Sequence, residues 1–244
     1  MTGVSHAVAD PAPASLAASR RRLVTDMLGI SLSAAGFGLV YGVAAHGVGM
    51  SVLEAGAMSL LVFAGGAQFA ALGYIAGGYP WIAIVLLTSF INARHLLYGI
   101  VLAPYLADRP RPLRAVMAHV LDDETFALSI AHFRRIGRAD LAGYWIAAVG
   151  GTFVPWIGAT LVGVAVAGSL PDPARLGLDV IFPAAMAGLA VGLVTEVRAL
   201  IAAMVGAATA VGVSLVFGPP IGIVAGGLVG PLVGMAYGSR GGRR

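Results

Sequence analysis

The side chains able to do chemistry in this chain gather at three places. The first is Phe63-Ala64-Gly65-Gly66-Ala67-Gln68-Phe69. Adjacent glycines inside an apolar helix weaken it, and freed amides at the start of a half-helix attract a carboxylate. Gln68 is the one Gln of the chain and can hydrogen-bond either charged end of an amino acid. The second is Asn92-Ala93-Arg94-His95-Leu96-Leu97-Tyr98-Gly99. An Arg at mid-membrane costs about 2.5–3.5 kcal/mol and faces a cavity or a partner. Arg94 can hold a carboxylate or neutralise an acid, and the His95 imidazole can relay protons. The third is Asp122-Asp123-Glu124-Thr125-Phe126. On one helix these three acids point about 100° apart, so they cannot share a partner. A partly buried carboxylate is the usual proton carrier in a coupled transporter.

Each cluster has a plainer reading. The glycines admit a neighbouring helix, with Gln68 bonded to a carbonyl. Arg94 pairs with one of the acids as a structural lock, and the acidic run is a solvated helix face. His119 lies three residues before Asp122, but two further metal ligands are not evident, so neither a metal nor a cofactor is called for. There is no cysteine, Walker loop, Gly-x-Ser-x-Gly or HExxH motif. Thiol chemistry and ATP-driven pumping by this chain alone are excluded, and no enzyme nucleophile with its base is visible.

The elements that must carry these clusters follow from composition. Of 244 residues, 59% are hydrophobic and 11% charged, against about a quarter charged in a soluble domain. Mean hydropathy is +0.91. Such a chain is an all-α polytopic membrane protein, not a soluble enzyme, a disordered chain or a nucleic-acid module. Apolar runs cover Met27–Ala45, Glu54–Ala76, Pro80–Leu106, Leu141–Leu170, Asp179–Val197, Ala199–Phe217 and Pro219–Tyr237. A further helix, Ala115–Phe133, carries the acids. This makes about 6–8 spans, with discontinuous or re-entrant helices at Gly65-Gly66 and Asn92–His95. Residues 1–25 read as a disordered cytoplasmic tail, 26–238 as one transmembrane transport domain, and 239–244 as a short basic cytoplasmic tail.

All 15 basic residues are Arg. Arg20–Arg22 and Arg134–Arg138 belong on the cytoplasmic side, which puts both termini inside. Eight simple crossings leave Arg109, Arg111 and Arg114 outside, against that rule. If Pro80–Leu106 dips in and returns at Asn92–Arg94, they move inside and the acidic helix becomes interfacial or cavity-lining. Both counts stay open. Trp81, Tyr105, Tyr144, Trp145 and Tyr237 read as interfacial anchors, and His132 as a helix-end residue suited to the C-terminal dipole. Small residues four apart (Gly38/Gly42, Gly222/Gly226/Gly230) predict close helix packing.

Together, Phe37–Gly42, Phe63–Phe69, Asn92–Gly99, Asp123–Phe126 and the start of the Asp179 span resemble the AzlC family, the large subunit of branched-chain amino-acid exporters. The resemblance covers about Asp26 to Tyr237. It implies export of Val, Leu or Ile, with Met as a further substrate, driven by protons across a bacterial inner membrane. It also implies a small AzlD-like partner with about four spans.

The residues suit that function. A branched-chain amino acid needs a carboxylate anchor, an ammonium acceptor and an apolar pocket. Gly65, Gly66 and Arg94 suit the first, Asn92 and Gln68 the second, and Phe63 with Phe69 and Phe90 the third. Asp123 or Glu124, with His95 as the other candidate, would carry the proton. A transporter of another small solute on the same scaffold, and a passive channel, are the alternatives.

Overall fold

A computed structural model describes residues 15–169 and 194–241, with the single positions 187 and 191. Most of the expected span at Asp179–Val197, Asp179 itself, and both chain ends lie outside the described residues. Every regular element among the described residues is helical. The fold is all-α and polytopic. Among the described residues, five helical runs are long and apolar enough to cross a membrane: Leu16–Gly47, Trp81–Leu106, Leu141–Ala167, Val197–Phe217 and Pro219–Gly238. Their outward side chains are apolar and bare, Leu32 being 77% and Leu215 83% exposed. Such a surface is stable only against lipid or another apolar partner.

The chain forms two compact units. The first takes residue 15, residues 16–36 of α1 (Leu16–Gly47) and His95–Gly158. It holds nearly all of α5 (Arg94–Leu106), then α6 (Arg111–His119), α7 (Asp123–Ile136) and α8 (Leu141–Trp145). A π-helical stretch (Ile146–Phe153) and the beginning of α9 (Val154–Ala167) complete it. Its core joins Leu102, Leu106, Met117, Val120, Phe133 and Tyr144. The second unit takes the remainders of α1 and α9, with α2 (Val52–Leu61), α3 (Gly65–Ala76) and α4 (Trp81–Asn92). It also holds α10 (Val197–Phe217) and α11 (Pro219–Gly241).

Local chemistry sets the helix ends. Ser51 and Glu54 form a reciprocal capping box at α2, satisfying two orphan amides. Asp122 caps α7, Asp123 and Glu124 fill its first turn, and Arg134 and Arg135 its last, each charge opposing the nearer end of the helix dipole. Gly137 ends α7 at φ 70, a left-handed conformation that glycine adopts without a Cβ clash. Pro155 has no N–H for the carbonyl four residues back, and its ring crowds that carbonyl. The π-stretch lies directly before it, with the Val154 amide donating to Val149 O, one residue further back than in an α-helix.

Three expectations need correction. The single helix over Ala115–Phe133 is two, α6 and α7, because Asp122 leaves helical geometry to cap the second. The break in the second span precedes Gly65-Gly66, which form the first turn of α3. Tyr144 is not an interfacial anchor: it is 1% exposed, and its hydroxyl donates to Met117 O. At Asn92–His95 the helix is discontinuous. Ala93 keeps right-handed dihedrals (φ −55, ψ −23), and its amide turns back to Phe90 O.

Candidate functional site

The substrate-binding candidates Phe63, Gly65, Gly66, Gln68, Asn92 and Arg94 all fall in the second unit. Between α2 and α3 the chain runs through Val62, Phe63 and Ala64. Phe63 has φ 33, a strained left-handed conformation for a bulky residue, and its side chain is buried. Ala64 precedes α3 in extended conformation and offers no side-chain cap. The first amides of α3 therefore lack both an intrahelical carbonyl and a capping oxygen at the positive end of the helix. A Cβ on Gly66 would lie 3.5 Å from Arg94 Nη2, so the guanidinium reaches this helix start. Asn92 is the half-buried last residue of α4.

Gln68 is fully buried and holds the break together. Its Nε2 donates to Ser59 Oγ at 2.9 Å, and its Oε1 accepts from the Ala64 amide at 3.3 Å. Ser59 donates onward to Thr160 Oγ1 at 3.4 Å. The backbone bond of Gln68 is thus to an amide and not to a carbonyl, and the Ser59 bond adds a brace between α2 and α3. Phe69 packs edge-on to Tyr41, with ring centres 5.6 Å apart.

The proton-coupling candidates His95, Asp123 and Glu124 fall in the first unit. Tyr98 joins two of them. Its hydroxyl donates to Asp123 Oδ1 at 2.7 Å, its ring stacks on Phe126 at 4.5 Å, and His95 meets it edge-on at 5.5 Å. Glu124 is exposed. Asp122 accepts from the Thr125 amide at 2.7 Å. Burial pushes its carboxyl above the ordinary range, against the lowering effect of its bonds to Thr125. Thr125 in turn meets Thr152 of the π-stretch, hydroxyl to hydroxyl at 3.1 Å.

A second polar cluster in the first unit was not legible from the sequence. His132 is fully buried. Its Nε2 lies 2.9 Å from Asp140 Oδ2 and its Nδ1 2.9 Å from Ser19 Oγ. Arg20 donates twice to Asp140, at 2.7 and 2.6 Å. This arrangement suits the tautomer that donates from Nε2 and accepts from Ser19. The Arg20 hydrogen bonds hold the Asp140 carboxyl well below the usual carboxylate range, with burial opposing them. Gly143 is required here: its Cβ would lie 2.7 Å from His132 Nε2 and 2.8 Å from Asp140 Oδ2. The eight-residue step from His132 to Asp140 was the available signal, but nothing in it names Ser19 or Arg20. Among the described residues no cluster of His, Asp or Glu has metal-site grouping.

The family model described as AzlC protein matches residues 29–170, more than half of the chain. A protein of Archaeoglobus fulgidus named as an uncharacterized membrane protein is 29% identical over 194 residues, 79% of this chain and 84% of its own length. The branched-chain amino acid transport protein AzlC of Bacillus subtilis is 32% identical over 93 residues, 38% of this chain and 36% of that protein. Inner membrane protein YgaZ of Escherichia coli is 29% identical over 155 residues, 63% of each chain. The matches therefore span about a third of the Bacillus protein and under two thirds of the Escherichia one. No solved structure matches the chain. The family match runs over both helix breaks, Tyr98, Asp123, His132 and Asp140, and this chain belongs to the AzlC family of transport-related membrane proteins.

Proposed function

We propose that this chain is the large subunit of a secondary transporter that exports the branched-chain amino acids Val, Leu and Ile, with Met as a further substrate. Export draws on the proton gradient across a bacterial inner membrane, with both termini in the cytoplasm and a small AzlD-like subunit as partner. The observation that carries the reading is the uncapped start of α3, where Gly65 and Gly66 leave open backbone and Arg94 brings a guanidinium alongside. Amides at a helix N-terminus and a cation together favour a carboxylate. The name of the Bacillus relative supports the substrate class.

In this mechanism the substrate carboxylate accepts from the α3 amides and Arg94. Asn92 accepts from the substrate ammonium through its side-chain oxygen. Gln68 braces the break so that the amides stay aimed, and Phe63 borders the aliphatic tail. Asp123 takes the coupling proton: protonated, it loses the negative charge that accepts from Tyr98, and the hydrogen bond rearranges beside His95. Glu124, being exposed, supplies protons from solvent.

Counter-flow of labelled leucine in vesicles holding the purified chain, with and without the partner subunit, tests this. Uptake should appear with unlabelled Val, Leu or Ile inside and should respond to an imposed pH gradient. Flux no greater than in protein-free vesicles in both preparations would remove the reading. Flux indifferent to the pH gradient would leave a passive facilitator instead.

A further inference from the structure

Within the first unit, α5 and α6 enclose a groove of about 380 Å³ that neither polar cluster uses. Small residues keep it open. Gly99 and Ala103 line it from α5, and Ala115 and Ala118 from α6. A Cβ added at Gly99 would meet nothing within 4 Å. The floor is apolar, made by Leu102, Leu106 and Met117, with the Tyr144 ring beside them. At its edge stand Arg111 and Arg114, three apart and so on one face of α6. Both are exposed, and neither guanidinium has an ion-pair or hydrogen-bond partner among the described residues. Asp108, the nearest acid along the chain, pairs with neither.

An apolar trough that opens at two guanidiniums has the chemistry of one ligand class: a phosphate carrying a hydrocarbon chain. A basic amphipathic helix beside a long apolar helix places such a site at the membrane surface, where phosphate headgroups lie. A protein partner would need carboxylates at two fixed points, whereas a lipid supplies phosphate and chain together. We propose that the α5–α6 groove binds an anionic phospholipid, with Arg111 and Arg114 on its phosphate and one acyl chain along Gly99, Ala103 and Ala118.

The test is native mass spectrometry of the full chain released from detergent with phosphatidylglycerol, or with phosphatidylcholine of the same acyl chains. Phosphatidylglycerol should be retained preferentially. Its affinity should fall about fivefold for Arg111→Gln or Arg114→Gln and about 25-fold for the double variant. Ala118→Trp fills the trough without changing charge and should also release the lipid. Because the two kinds of variant act at different points, a folding defect in one leaves the other as a measure. Equal retention of both lipids by the wild-type chain overturns the proposal, as does undiminished phosphatidylglycerol binding by the double variant. Displacement of the bound lipid by glycerol phosphate alone would show that the groove reads only the phosphate, and would overturn the acyl part. Cross-links from Ala118→Cys to a co-expressed small membrane protein, with no lipid retained, would also overturn it.

Discussion

At the residue scale, the charges of this chain divide by what holds them. Arg94 reaches an uncapped helix start, while Arg20 is spent on Asp140. Arg94→Gln should therefore raise the KM for leucine counter-flow by about tenfold or more, the worth of a charge-assisted hydrogen bond. Arg94→Lys should recover only part of this, since an ammonium keeps the charge and loses the fork. Asp123→Asn should abolish uphill export while leaving counter-flow intact, because exchange needs no net proton movement. Export against a gradient at wild-type rates by that variant would sink the role of Asp123. Asp140 predicts a stability effect. Its folded pKa lies below its unfolded one, so its contribution is complete above pH ~4 and fades as pH falls toward the folded value. Asp140→Asn should lower stability at neutral pH by about 1–2 kcal/mol, less than for a fully buried pair because Arg20 is 37% exposed. Melting curves in detergent at pH 7 and below pH ~4 should show the gap closing.

At the element scale, glycine decides which helices touch. Cβ atoms at Gly222, Gly226 and Gly230 of α11 would collide with Ser214, Gly206 and Ala202 of α10. These two helices bury little else: none of α10 is fully buried. Gly226→Val should separate them and destabilise the chain by about 1–3 kcal/mol, seen as a lower melting temperature. The sequence spacing made this contact legible. The same spacing argument failed for the acidic run, because it placed all three acids within one helix when the first of them is a cap. It failed again for His132, whose partners are Ser19 and Asp140. A one-dimensional pattern reports neighbours at three and four residues; it carries no information on a contact 113 residues away.

For the whole molecule, the proposed orientation rests on the arginines. Arg20–Arg22, Arg134, Arg135 and Arg138 all belong to the first unit. Cysteine is absent, so single cysteines report sidedness without background. Ser15→Cys and Arg138→Cys should both resist an impermeant maleimide in intact spheroplasts and label once the membrane is opened. Labelling of either from outside would reverse the proposed orientation.

The sequence alone determined class and family. Few charges and long apolar runs leave lipid as the only solvent that suits the surface. The polar clusters at 63–69, 92–99 and 122–126 stood out because an ionisable group inside an apolar run is costly. Tertiary structure decided what each polar group does. It moved the break to Phe63 and gave the glycines to a helix start, because an amide is free only where no carbonyl lies four residues before it. It gave Gln68 its bonds to Ser59 and to the Ala64 amide, and it made Asp122 a cap. It also assembled Ser19, Arg20, His132 and Asp140 from distant positions, since a buried polar group finds its partner through packing and not through spacing.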